Sequence, residues 1–337
     1  MVLYAPRRYG KTSLVFKVME QLEQLGIIVI YIDVMQAYSL DSFISLYIHS
    51  IKKKQNNLQK FIATLAETVK SIRPTLSFNP DGTPEFGIDF TNKEISSNTI
   101  NEVLDLPEKL AADESRVVVI FDEFQEVSRF KSIGFEELLR SKIQQQNVNY
   151  LFLGSKTHLL TEMFNNKKRA FYNSALSMQL DTLPISDTIN YLTMKFKASG
   201  IEIDEHCCRQ IIAESGNIPY YIQLLAAEIW QYMITSFEKV TPDVVQICSN
   251  QIIELKRDYY IELFDRQSVQ QKKLLVALSK EGVNIFASHF RQKHRLSTSS
   301  TVQKSASVLL DNGVIDKTAN EYFISDPFFK KFVENYA

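Results

Sequence analysis

Eight residues near the start, Ala5-Pro-Arg-Arg-Tyr-Gly-Lys-Thr12, constrain this chain more than any other segment. They follow a short apolar run, Met1–Tyr4, and lead into an apolar-periodic stretch that opens with Ser13-Leu-Val-Phe. A strand, a tight loop and a helix start, in that order, gather backbone N–H groups at one point, the arrangement that cradles phosphate. Gly10 lets the backbone close on a β-phosphate. The Lys11 ammonium reaches the β- and γ-phosphates, and the Thr12 hydroxyl is offered to Mg²⁺. Pro6, Arg7, Arg8, Tyr9, Gly10, Lys11, Thr12 and Ser13 are therefore the candidate nucleotide-binding residues. Ala5 opens the loop with a small side chain but without glycine's freedom at positive φ.

A second segment supports the same chemistry. Val117-Val-Val-Ile-Phe is apolar without alternation and ends in Asp122-Glu123. Such a run reads as a strand buried on both faces of a parallel sheet. Acids at its carboxyl end face the crevice where ligands of such sheets bind. Asp122 is the candidate Mg²⁺ ligand beside Thr12, acting through water. Glu123 is the candidate base that orients and deprotonates an attacking water. Adjacent acids favour hydrolysis over transfer to a small-molecule acceptor, which needs a pocket of its own.

With 337 residues the chain has room for two or three domains. Its 45% apolar and 23% charged residues are those of an ordinary globular protein. A net charge of −1 provides no whole-protein field for nucleic acid, so any such surface is a local patch. Cys207, Cys208 and Cys248 have neither zinc spacing nor a disulfide framework, and read as reduced core thiols of a cytoplasmic protein. No run approaches the ~20 apolar residues of a membrane span, and no signal peptide is apparent. The sequence begins inside its first strand, so either later elements hold an adenine or this chain begins later than related nucleotide-binding chains.

Further along, Ile27–Val34 reads as a second buried strand whose acidic tail lies beside the phosphate loop. Residues 75–92, with Asp81-Gly82 between alternating segments, read as an inserted hairpin. Ile100 to Ala112 reads as one helix leading into the acidic strand. Asn149-Tyr-Leu-Phe-Leu-Gly154 is another buried strand. Ser155 at its end is placed to sense a γ-phosphate, or to cap the helix that follows, and the two roles are compatible. Arg169, in the basic loop Asn165–Tyr172, either reaches a γ-phosphate in the same or a neighbouring chain or belongs to a solvated loop.

From Leu183 the pattern is helical, with four helices through Asp258; Gly216-Asn-Ile-Pro219 makes a turn that sets Pro219 at a helix start. Residues 267–337 suit three helices and a terminal hairpin, the winged form of helix-turn-helix. His289, Arg291, Lys293, His294, Arg295, Lys304 and Lys317 give this tail a basic bias. Its partner is either DNA or protein, and self-assembly stays open.

Pro6-Arg-Arg-Tyr-Gly-Lys-Thr-Ser13, the Asp122-Glu123 strand, Leu153-Gly-Ser155, Gly216-Asn-Ile-Pro219-Tyr-Tyr-Ile-Gln and Tyr322-Phe-Ile-Ser-Asp-Pro-Phe-Phe together resemble the archaeal-type ATPase family, in the STAND branch of AAA+-like P-loop ATPases. The likeness spans nearly the whole chain. It implies an α/β fold: a P-loop NTPase parallel sheet with helices on both faces, then a helical lid domain and a winged-helix domain. It implies ATP and Mg²⁺ as cofactors, ATP hydrolysis, a lid whose Gly-Pro turn senses nucleotide through Pro219, and a basic role for Arg169 after the Ser155 strand. The expected domains are residues 1–182, 183–266 and 267–337. Two features depart from the family: Ala5 replaces the first glycine, and the segment that relatives place near the adenine does not precede the loop.

Overall fold

The computed structural model describes residues 1–55, 58–78, 84–90, 95–111, 116–130, 134–234, 239–318 and 321–336. Two compact units are formed, Met1–Ala5 with Lys11–Leu180, and Pro6–Gly10 with Asp181–Ala337.

In the first unit, β1 (Val2–Tyr4) leads through the loop into α1 (Lys11–Gln24). Gly26, at φ +76°, turns the chain into β2 (Ile28–Asp33). Helices α2 (Leu40–Lys52) and α3 (Leu58–Thr68) follow, then a separate antiparallel hairpin, β3 (Ile72–Phe78) with β4 (Pro84–Phe90). The inserted hairpin of the sequence reading therefore starts a few residues earlier; its Asp-Gly turn lies outside the described residues. The stretch read as one helix before the acids is two, α4 (Ser97–Leu104) and α5 (Leu106–Ala111), interrupted at Asp105. After them come β5 (Val117–Asp122), α6 (Phe135–Gln145), β6 (Asn149–Gly154), α7 (Thr157–Asn165) and β7 (Ser177–Gln179).

The sheet order is β2-β5-β6-β1-β7, with every pairing parallel. Strand β2 thus lies at an edge against β5, and two strands separate it from β1, which corrects its expected place beside the phosphate loop. β7 was missed from sequence because its three residues are all exposed. Alternation along β5 sends Val117, Val119 and Phe121 to the larger core, with Ile30, Phe43 and Phe152. Ile120 packs on the other face with Leu3, Val29, Leu153 and Val15 of α1. Burial on both faces explains the unalternating apolar run. Behind the acids, Phe121 and Phe152 stack at 6.0 Å, and Phe124 meets Phe171 edge-on at 5.1 Å. These rings form a rigid floor for the end of β5.

The second unit contains α8 (Ile185–Ala198), α9 (Glu205–Glu214), α10 (Pro219–Met233), α11 (Pro242–Leu255), α12 (Arg257–Asp265), α13 (Val269–Lys280), α14 (Ser288–Lys293) and α15 (Ser299–Asp311). The antiparallel wing β8 (Ile315–Lys317) and β9 (Tyr322–Ile324) and a last helix, α16 (Pro327–Tyr336), complete it. Asp204, Thr241 and Thr298 cap α9, α11 and α15 by accepting backbone N–H bonds. The fourth helix of the sequence reading is two, broken at Lys256, and the tail carries α16 beyond its hairpin. One continuous core joins Leu192, Tyr221 and Cys248 with Leu275, Leu309 and Phe328. No helix among the described residues is long and apolar enough to cross a membrane.

Candidate functional site

Four strand ends and one helix start build the site in the first unit. Lys11 and Thr12 form the first turn of α1, and Lys11 is buried at 5% exposure with its Nζ donating to the Ala5 carbonyl at 2.7 Å. Gly10, at φ +82°, has nothing within 4 Å of where a Cβ would stand, so the loop backbone is open to close approach there. Arg8 also has positive φ, at 73°, in a conformation unusual for a long side chain.

Thr12 donates its hydroxyl to Asp122 Oδ2 at 3.0 Å. Asp122, at 5% exposure, also accepts the Tyr31 phenol on Oδ2 at 2.5 Å and the Glu123 N–H on Oδ1 at 2.8 Å. Burial first, and then the bond to Asp122, push the Tyr31 phenol far above its ordinary range, so Tyr31 remains a donor. Register explains the meeting: Tyr31 pairs with Ile120 and Asp33 with Asp122 in the β2–β5 ladder. The Asp33 carboxylate serves a local turn, accepting from Met35 N and Gln36 Nε2 at 3.0 and 3.1 Å.

Glu123 follows with φ 50° and ψ 42°, the left-handed region. Its Oε2 accepts from Gln125 Nε2 at 2.5 Å and from Ser155 Oγ at 2.8 Å. Ser155 reaches it because β6 lies directly beside β5. The capping role weighed for Ser155 falls to Lys156, which starts α7 without a side-chain cap; the Ser155 hydroxyl is given to Glu123 instead.

Lys11, Thr12, Asp122, Glu123 and Ser155 are thus brought together. Ser13 is exposed on α1. Arg169 is engaged elsewhere: it grips Glu136 through Nε at 3.2 Å and Nη2 at 2.5 Å, and donates to Ser128 Oγ at 2.7 Å. Pro6, Arg7, Arg8, Tyr9 and Gly10 belong to the second unit, as does Pro219 at the first position of α10. There the Arg8 guanidinium lies 5.0 and 4.9 Å from the Tyr220 and Tyr221 ring centres and 3.5 Å from Asp326 Oδ2. Asp326 also accepts the Tyr260 phenol at 3.1 Å and the N–H groups of Phe328 and Phe329. Burial, followed by the charges of Asp316 and Asp181, pushes the Tyr9 phenol up to about 12.

Tyr31 and Gln125 were not singled out from sequence. A polar residue on the Asp122 strand's neighbour, and an amide two residues after Glu123, were the signals available. In the tail, Arg291 clamps main-chain carbonyls of Phe286 and Ser297, while Lys293 and His294 both meet Glu281. This reduces the expected basic surface. Arg295 and Lys304 are exposed, on either side of the α15 start.

A hydroxyl and a carboxylate side by side at the helix start are hard oxygen donors suited to Mg²⁺, a cation that keeps much of its shell as water and phosphate oxygen. Among the described residues no group of three or more His, Cys, Asp and Glu side chains is placed to hold a metal ion.

The model of an ATPase domain predominantly from Archaea matches residues 1–225, and a probable winged helix domain matches 258–335. The Walker-type ATPase PABY2304 of Pyrococcus abyssi superposes with a TM-score of 0.64 at 18% identity, over 99% of this chain and 90% of that one. The ORC2 protein of Aeropyrum pernix, in its ADPNP–ADP complexes, gives 0.55 at 13% identity, over 99% and 86%. A search of curated proteins finds no match by sequence. The fold is therefore a Walker-type ATPase fold with a carboxyl-terminal winged helix, and the chain belongs to the family of ATPase domains found predominantly in Archaea.

Proposed function

We propose that this chain is a slow, Mg²⁺-dependent ATPase of the STAND type, a molecular switch in which nucleotide state is read by a helical lid and a winged helix. The observation that carries this reading is the Thr12–Asp122 hydrogen bond at 3.0 Å, with Lys11 beside the one and Glu123 beside the other. Lys11 would neutralise β- and γ-phosphate charge, and Thr12 and Asp122 would hold the cation. When bound, Mg²⁺ supplies charge neutralisation on the phosphates. Glu123 would orient a water and accept its proton, while Ser155 fixes the carboxylate from the neighbouring strand. Arg169, already paired with Glu136, would act on phosphate only after leaving that partner. The ORC2 protein, whose fold this chain shares, is in complex with ADPNP and ADP, which supports nucleotide as the ligand proposed here. The division into residues 1–182, 183–266 and 267–337 belongs to the same proposal, as does a cytoplasmic setting, which suits three buried free thiols.

Calorimetry with ATP, followed by phosphate release with and without Mg²⁺, tests this directly. Saturable ATP binding and Mg²⁺-dependent release are expected; a folded protein that binds no ATP overturns the reading.

A second reading concerns DNA. Residues 267–337 hold ten Lys and Arg against six Asp and Glu, and α15 presents exposed Ser300, Gln303 and Lys304. If this face binds duplex DNA, affinity should fall steeply with salt. Replacing both Arg295 and Lys304 with alanine in the whole protein should lower the slope of log K against log[salt] by about 1–2, as expected for two lost phosphate contacts. Absence of duplex binding at low salt would favour protein docking by the winged domain.

A further inference from the structure

Glu123 is held by a stack of residues that the reading above leaves unexplained. Gln125 is 3% exposed, and its Nε2 donates to Glu123 Oε2 at 2.5 Å. The amide lies against Gly154: a Cβ added there would overlap Gln125 Oε1 and stand 3.0 Å from Leu160 Cδ2. Gln125 Oε1 is buried with no hydrogen-bond partner among the described residues. The reverse orientation of the amide would set two acceptors against each other, so the carboxylate fixes it. An unpartnered buried acceptor destabilises the fold. The fold tolerates that cost in the one orientation that serves Glu123.

We propose that Gln125, seated on Gly154, is a positioning residue for hydrolysis. Together with Ser155 it occupies Glu123 Oε2, which leaves Oε1 as the oxygen that takes the proton. This rests on Glu123 being the base of the proposed ATPase. As the water oxygen bonds to the γ-phosphorus, its O–H bond breaks and the proton passes to Oε1. The bond from the γ-phosphorus to the bridging oxygen breaks in turn, and ADP leaves with that electron pair. Without the brace, a left-handed residue with a flexible side chain would sample poses that point Oε1 away from the water.

The test is a double-mutant cycle in the full chain with Gln125→Leu, Gly154→Ala and both, reading kcat, ATP KM, ADP affinity and melting temperature. Gln125→Leu should lower kcat about 10- to 100-fold, the scale of a misplacement near 1 Å. KM and ADP affinity should stay within about twofold. Gly154→Ala should reproduce the loss by displacing the amide, and the double variant should be no slower than either single one, because both remove one brace. Should Gln125→Leu fail to fold, Gln125→Met takes its place in the cycle. Unchanged or increased kcat in a folded Gln125 variant, or losses that add, overturns the brace and leaves the ATPase reading standing. A wild-type protein that binds ATP but never releases phosphate removes the base, and the brace with it.

Discussion

Lys11→Ala is expected to weaken ATP binding by up to about a hundredfold in a protein that still folds. The Lys11 side chain is the cation that the loop buries at the helix start, and its Nζ is held by the Ala5 carbonyl at 2.7 Å. That bond already orders the side chain, so little ordering cost remains at binding. A charge-assisted hydrogen bond contributes up to about 3 kcal/mol, which corresponds to roughly a hundredfold in affinity. The folding cost is smaller, about 1 kcal/mol for the lost bond to Ala5. Calorimetry on the variant, with its melting curve as a control, decides the matter. Unchanged ATP affinity in a folded variant would remove the phosphate-loop assignment.

Glu123→Gln should do the opposite, leaving ATP bound and nearly unhydrolysed. The amide has the shape of the carboxylate. Its oxygen can keep the bonds from Gln125 and Ser155, which places an NH₂ group where the proton-accepting oxygen stood. Binding should therefore stay within about twofold. Turnover should fall by roughly 10²–10⁴, the usual contribution of a general base. Phosphate release at saturating ATP, beside ATP affinity, separates the two effects. Wild-type turnover would show that another group activates the water.

Much of this site was legible in the chain. Ala5–Thr12 and Val117–Glu123 each carry their meaning locally, because a phosphate loop and a doubly buried strand impose their own residue types. Spatial order was less legible. Ile28–Asp33 reads as a sheet strand, but nothing in it says that its neighbour is β5 and not β1; pairing depends on where the crossovers run. Ser177–Gln179 is three exposed residues with a single apolar side chain, Met178, too short a stretch to show a pattern. The break at Asp105 had a local signal in Pro107, whose missing N–H interrupts the helical ladder; the break at Lys256 falls inside sustained helical periodicity. Tyr31 was invisible for a different reason: it meets an acid on another strand, and only register places the donor there. Gln125 is local to Glu123, but nothing in its residue type says that its amide turns back to the carboxylate. The basic tail shows the converse: Arg291, Lys293 and His294 look free in a list of charges and are committed once Glu281 and the α15 entry are in place.

The position of β1 in the sheet bears on how the molecule is made. Val2–Tyr4 pairs with Phe152–Gly154 on one side and Ser177–Gln179 on the other. The strand that leads into the phosphate loop therefore has no sheet partner until some 150 residues more have been synthesised. At about 5–20 residues per second, that is a delay on the order of ten to thirty seconds. Strands β2 and β5 can pair earlier, but β5 then shows an open edge where β6 will lie. Within the sheet, closure around β1 is the step of longest sequence separation, and contacts of that kind form slowly. The strand from which the loop departs is therefore among the last parts of its sheet to be fixed, although it is among the first to be made.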